Sequence, residues 1–520
     1  MVKLKWIPLA ATLLLPLSAH AWKPTTHVYL AEQALADALD DGNVSIYRVN
    51  YDTGAILEKI GDYPVDPELL AAIRANRRQY RAGVLGPDAF PDIATGQSAI
   101  HPGDDPRVGG LKGDEPGEGS DAWLRHLWQR SRGQSPETRA WTAGFMTHAA
   151  GDLFAHTFVN AYAGGEFEMG DNALRHLVLE GYLGKRCVSV SDFDVSLDGA
   201  SEFITDTLCR MPAGSELARL LVGKGAEQSP IKFFGDLRVT LTTELDAYDK
   251  LSRSKKLSYD VSHPGRTPYL KAWVKDIDDG LRAWPEFSQK LAVQLMFNPT
   301  GLNKAKAKSE VNDFANKHLL SMLGLPDAVG VAKQVVEAIG LALLTQAQRD
   351  EIKAIEKDFL NNLCVKAFGF TLDYLADRLE NPENYIDEVI GPGSKGVERA
   401  QRTTLAALNH DVLKLKDDAY TDPNERWDWH TFPPAYNTVT LTKLSFLSAE
   451  TVNRLLDDLG KDRAGVWPRL SAGSNVLLDY QNSLDNDNQW HLNQGELIFV
   501  RTNDYKSLFM RQIGERPEVH

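Results

Sequence analysis

Residues 140–164, AWTAGFMTHAAGDLFAHTFVNAYAG, constrain this chain more than any other segment, because in so apolar a stretch Asp152 is the only formally charged side chain. Burying a lone carboxylate costs several kcal/mol unless a cation, hydrogen-bond donors or a raised pKa relieves it. His148 and His156 stand four residues to either side. On a helix those positions advance about 40° per step, which keeps all three on one broad face. Taken alone, the segment fits equally a satisfied His and Asp network between packed helices and a metal site.

The next element adds weight to the metal reading. DNALRHLVLEGYL, residues 171–183, predicts an amphipathic helix with His176 and Glu180 at i and i+4, donors on one face at the spacing zinc sites use. Upstream, AGVLGPDAFPDI places Asp88 in a Gly-Pro loop, and SAIHPGDD supplies His101. Each alone is an ordinary turn or loop residue; their interest lies in the company they keep. At the start of the chain, Lys3 and Lys5 precede the apolar run 7–17, and Ala19 and Ala21 frame a cleavage site. That pattern predicts a secretory signal peptide over residues 1–21, too short in its apolar part to anchor in a bilayer. Cleavage after Ala21 would make Trp22 the first residue. Its free α-amine and carbonyl oxygen form a possible bidentate chelate, with His27 close enough along the chain to add a third donor.

From Trp22 to about residue 250, apolar residues recur at spacings of three and four, so the fold class expected is mainly α. Residues 102–120 are rich in Gly, Pro and Asp and predict a long loop, and HPGRTP at 263–268 breaks the helical pattern. The apolar segment 328–344 is interrupted by Lys333 and Glu337 and reads as a core helix rather than a lipid-facing one. GPGSKG at 391–396 reads as a linker, TVTLTKLSFL at 438–447 and GELIFVRT at 495–502 as strands, and SLDNDNQW at 483–490 as a solvated turn. The organisation expected is a domain carrying the candidate donors over 22–260, a helical region over 261–395 and a small mixed α/β region over 396–520. Of the three cysteines, Cys187 and Cys209 are the one pair that an oxidising compartment can bridge, and Cys364 fits a buried thiol. Losing Lys3 and Lys5 with the signal takes the formal net charge from −14 to −16, a poor balance for tight polyanion binding.

In chain order, Trp22, His27, Asp88, His101, His148, Asp152, His156, His176 and Glu180 resemble the ligand series of the zinc-dependent phospholipase C superfamily, which includes fungal single-strand-specific nucleases. The runs WKPTTHVYLAEQAL, AGVLGPDAFPD and FMTHAAGDLFAHTF are similar to its glycosylphosphatidylinositol-specific phospholipase D branch, and the likeness extends to about Leu183. The resemblance implies a helical domain holding three zinc ions. Asp88, His101, His148 and Asp152 would hold one. Trp22, through amine and carbonyl, with His27 and a bridging Asp152, would hold its neighbour. His156, His176 and Glu180 would hold the third, with Glu166 and Glu168 as alternative carboxylates. The step of four from Asp152 to His156 departs from the longer spacing of the bacterial phospholipases C.

The same resemblance implies an exported phosphodiesterase that hydrolyses phospholipid head groups at a membrane surface, most closely a phospholipase C, secreted or periplasmic. It would have neither a transmembrane anchor nor a stable nucleic-acid partner. Two zinc ions bridged by a carboxylate lower the pKa of a shared water from 15.7 towards about 7. Asp88 is the residue expected to orient or deprotonate that water. Three rivals share the donor set: phospholipase D regiochemistry, a single-strand nuclease or nucleotidase, and a zinc-stabilised binding protein with no open coordination position.

Overall fold

The computed structural model describes residues 22–50, 55–92, 95–96, 120–163, 173–190, 193–210, 217–218, 229–296, 304–324, 408–415, 424–458 and 470–478, with scattered positions between 371 and 385. Among these the fold is mainly α, with a single two-stranded sheet. The predicted signal 1–21, most of the loop 102–120, the segments 328–344, 391–396, 483–490 and 495–502, and Cys364 lie outside the described residues.

Helix α1, Pro24–Asp41, starts where Pro24 pre-sets the backbone and stops at Gly42, whose φ of 88° only glycine adopts freely. Strands β1 (Asn43–Val49) and β2 (Ile56–Pro64) follow as an antiparallel hairpin, irregular between Ile46 and Tyr47 and between Arg48 and Val49. The mostly helical run expected from Trp22 thus includes a hairpin that its periodicity does not announce, because β2 is largely exposed and β1 is broken by its irregularities. Helix α2, Pro67–Ala75, is capped by Asp66, whose side chain accepts from the backbone N–H groups of Glu68 and Leu69. Helix α3, Arg77–Val84, runs straight into a 3₁₀ turn, Gly86–Asp88. Helices α4 (Ser120–Ser131), α5 (Pro136–Ala163) and α6 (Ala173–Lys185) complete the N-terminal half.

Helix α5 is the axis of this half: α1, α2, α3, α4 and α6 all pack against it. The α3 and α5 backbones touch, because a Cβ on Gly83 would lie 1.9 Å from the Trp141 carbonyl oxygen and one on Gly144 2.0 Å from that of Tyr80. No side chain separates the helices there, and the turn that follows α3 is delivered onto α5 near His148.

Beyond lie α7 (Pro230–Asp249), α8 (Arg253–Ser262), α9 (Arg266–Met296) and α10 (Lys304–Phe314); the predicted breaker at 263–268 spans the α8–α9 connection and the first three residues of α9. Helices α11 (Pro433–Ser445) and α12 (Ala449–Asp458) then return to the N-terminal half. Helix α11 packs against both α1 and α5, and Tyr63 on β2 donates its hydroxyl to Asp458 at the end of α12 over 2.8 Å. The strand expected over 438–447 is therefore corrected to helix as far as Ser445. Pro433 and Pro434 fix its first turn, and every residue of α11 is buried, so packing on all sides overrides the β-branched composition. Cys187 and Cys209 are both buried free thiols rather than a bridge. Burial pushes both thiols above their ordinary range.

Candidate metal centre

The site is assembled from three elements. Helix α1 contributes His27 in its first turns, the 3₁₀ turn after α3 contributes Asp88 as its last residue, and α5 contributes His148 and Asp152 one helical turn apart. All four side chains are buried. One ligand atom each from His27, Asp88 and His148 lies within 4.8 Å of the others. Asp152 divides its carboxylate between the two imidazoles: Oδ1 is 3.2 Å from His27 Nε2 and Oδ2 is 2.9 Å from His148 Nε2. The rings are stacked, with centroids 3.8 Å apart and planes 14° from parallel.

Two glycines make the approach possible. A Cβ on Gly151 would fall 2.6 Å from His27 Nδ1, so the bare backbone of α5 is what lets α1 bring its imidazole in. A Cβ on Gly86 would fall 2.3 Å from His148 Cγ, and Gly86 turns the chain with a φ of 52°. His148 is oriented from behind, where its Nδ1 bonds the carbonyl oxygen of Val84 over 2.8 Å. That contact makes Nδ1 the protonated nitrogen and leaves Nε2 for the centre.

The electrostatics of the stacked pair are asymmetric. Burial, then the neighbouring His148, lowers His27 to about 4 despite Asp152. Burial also pulls His148 down, but Asp152, Asp88 and the hydrogen bonds to Asp152 and Val84 together outweigh it and raise it to about 9. Two buried cations cannot share a 3.8 Å stack, so the pair carries one positive charge, on His148. A neutral His27, whose Nε2 faces Asp152, beside two carboxylates is the donor set of a divalent cation. The residues present fit a metal ion, and the His27, Asp88 and His148 group can hold one. Comparisons with family models, curated proteins and solved structures return no match for this chain.

The predicted donors are met unevenly. His27, Asp88, His148 and Asp152 come together. Trp22 is fully buried beside them: the Cβ position of Gly151 that crowds His27 is also 3.4 Å from Trp22 Cδ1. Its indole packs at 6.2 Å from Trp427 and 5.5 Å from Phe432, ring centroid to centroid. Glu180 is buried on α6, which packs on α5, yet it does not enter the three-residue group. His156 on α5 and His176 on α6 are placed by their backbones only, while His101, Glu166 and Glu168 lie outside the described residues. The resemblance put His27 and His148 with different ions, whereas the structure stacks them face to face. Sequence reasoning missed Gly86, Gly151 and the Val84 carbonyl; a glycine directly before Asp152 was the available signal for a close approach at that level of α5.

Proposed function

We propose that this chain is an exported zinc-dependent phosphodiesterase acting on phospholipid head groups, with phospholipase C as its reaction. The observation that carries the reading is Asp152, a fully buried carboxylate whose two oxygens face two different buried imidazoles. That is the disposition of a bridging ligand, and a helix-packing network needs no such split. The same reading has residues 1–21 removed as a signal peptide and the α-amine of Trp22 as a donor beside His27. It has three zinc ions in all, with His101, His156, His176 and Glu180 completing their shells.

Bound there, zinc supplies Lewis acidity that activates water and neutralises charge on phosphoryl oxygens. The protein's residues do the rest. Val84 fixes the His148 tautomer, Asp152 holds both rings in register, and Asp88, at the end of a rigid turn, is placed to orient the attacking water and accept its proton. No Ser, His and Asp triad is required. Among the described residues no helix is long and apolar enough to cross a membrane.

The test is product analysis of phosphatidylcholine hydrolysis by phosphorus NMR, with zinc content measured on the same sample. Phosphocholine supports the reading; choline with phosphatidate assigns the reaction to the other side of the phosphate. Intact lipid with cleavage of single-stranded DNA would replace it by a nuclease. A form carrying one extra methionine before Trp22 should fold, lose one zinc and lose most of its turnover, since an amide nitrogen is a poor donor.

A further inference from the structure

Trp22 precedes α1 and belongs to no helix or strand, yet its indole is fully buried. Its Nε1 has no hydrogen-bond partner among the described residues, so packing alone holds the ring. Two of the rings around it come from far along the chain: Trp427, tilted at 6.2 Å, and Phe432, edge-on at 5.5 Å. These two pack on each other at 5.3 Å, and they reach the ligand-bearing helices as well, Trp427 through Tyr29 of α1 and Phe432 through Phe158 of α5.

The turn that carries them is stiffened by its own bonds. The Asp428 carbonyl oxygen accepts from the N–H groups of Thr431 and Phe432, and its carboxylate accepts from that of His430. The turn is also fastened to the end of α6. Trp427 donates its backbone N–H to the Arg186 carbonyl oxygen over 3.0 Å and its indole N–H to that of Leu183 over 2.9 Å, taking up carbonyls at a helix end that lacks internal donors. At the same level α6 lies bare against the start of α1, for a Cβ on Gly184 would fall 2.8 Å from Lys23 Cδ.

One residue stands between Trp22 and the helix that carries His27. The Lys23 carbonyl oxygen accepts from the N–H of Thr26 over 2.7 Å and from that of His27 over 3.1 Å. Where the Trp22 ring is seated therefore sets the first turn of α1, and that turn sets an imidazole stacked at 3.8 Å on His148.

We propose that Trp427 and Phe432 are positioning residues of the metal centre: they seat the Trp22 indole and, through the Lys23 carbonyl, fix where His27 meets Asp152 and His148. The proposal deepens the reading above and rests only on its metal at His27, Asp88 and His148. It requires neither the α-amine of Trp22 as a donor nor any particular substrate.

The experiment compares the full chain with Trp427→Leu, Trp427→Phe, Phe432→Leu, Trp22→Leu and the double variant Trp22→Leu with Trp427→Leu. Zinc affinity is read by competition with a chelator, ligand geometry by the visible absorption of the cobalt-loaded protein, and the first turn of α1 by amide hydrogen exchange of Thr26 and His27 in metal-free protein. Trp427→Leu and Phe432→Leu should each weaken zinc binding about tenfold or more, the lower end of what mis-setting a ligand costs. Each should also alter the cobalt spectrum and speed exchange at the two amides. Trp427→Phe loses the same indole N–H bond to Leu183 but keeps a ring against Trp22, so it should melt lower and still match wild type in all three readouts. The double variant should bind zinc no more weakly than the worse of its single variants, since both act at one contact. Wild-type affinity and spectrum in the folded Leu variants overturn the proposal. So do losses that add in the double variant, a Trp427→Phe protein as weak as Trp427→Leu, or Leu variants that lose zinc only by unfolding. A wild type that binds no metal removes the metal reading; exchange at Thr26 and His27 then decides the positioning alone, faster exchange in the Leu variants supporting it and unchanged exchange overturning it.

Discussion

Helices α5 and α8 break the same rule in opposite directions. Helix α5 encloses Asp152 and His148 with no exposure to water, whereas α8 leaves Leu257 and Val261 in it. In α5 the exception is polar, so its partner must be a charged group that ring-edge nitrogens and carboxylate oxygens can face together. In α8 the exception is apolar, and its charged neighbours on that face are one cation, Arg253, and one carboxylate, Asp260, so what it asks of a partner is apolar area. A fold alone explains neither: α5 would be held as well by an uncharged residue at 152, and α8 is already held by Glu244, Tyr259 and Arg266.

The largest effect that can break this comparison is at Asp152. Asparagine keeps the shape but not the charge, so Asp152→Asn should lower phosphodiesterase turnover more than about 100-fold, beyond what losing an outer-sphere partner costs. It should also release metal. Metal analysis on the folded variant is the check; wild-type metal content would make Asp152 a packing residue and α5 an ordinary buried helix.

Gly151→Ala sharpens the same side. The added methyl meets His27 Nδ1 at 2.6 Å and not the backbone of another element, so α1 must shift or the ring must turn. Metal affinity should fall about 10–100-fold, the scale seen when a ligand is mis-set by its supports. The helical propensity gained by replacing glycine limits the stability loss. Titration with zinc against a competing chelator reads the affinity. An unchanged value would mean that His27 has room to move without consequence.

How much of this was legible in the chain follows from what each feature depends on. His148 and Asp152 declared themselves because a single charge in residues 140–164 has no local explanation. His27 was suggested by its closeness to the expected cleavage site and Asp88 by its Gly-Pro loop, and only the resemblance joined them; no periodicity did. The stacking of His27 on His148 depends on where α1 crosses α5, and the strand expected at 438–447 failed for the same kind of reason. TVTLTKLS is β-branched, yet it lies where α1 and α5 leave a cavity for a helix, and Lys443 reaches out to Asp37 over 2.9 Å. The hairpin at 43–64 hid because its second strand is largely exposed and so carries little apolar alternation.

A smaller, pH-dependent effect belongs to the metal-free centre. His148 is raised from 6.5 to about 9, so its contribution is fully present below pH 6.5 and is lost as pH rises through 9. His27 is lowered from 6.5 to about 4, so stability falls as pH drops from 6.5 through 4, where the unfolded chain takes up the proton first. These two groups together give the chelated protein its highest melting temperature near pH 6.5. With metal bound, the cation replaces the His148 proton and the alkaline loss should disappear. Melting curves across pH with and without chelator decide it; identical alkaline limbs would mean that no cation displaces the His148 proton.

The smallest effect expected is the one that tests α8 as a free surface. Leu257→Glu with Val261→Glu removes no contact with α7 or α9, so its unfolding free energy should stay within about 0.5 kcal/mol of wild type, as for surface positions generally. Tyr259→Phe, one residue from Ser258 but on the inner face, loses the hydroxyl bond to Glu244 and should cost about 0.5–1.5 kcal/mol. Thus the apolar side chains of α8 are predicted to matter less to folding than a single phenol oxygen, the reverse of the order in a packed helix. A cost of about 2 kcal/mol or more for the Glu pair would show that another part of the same chain covers this face. In that case the exposed stripe belongs to the core after all, and α5 stands alone as the helix that needs a partner from outside.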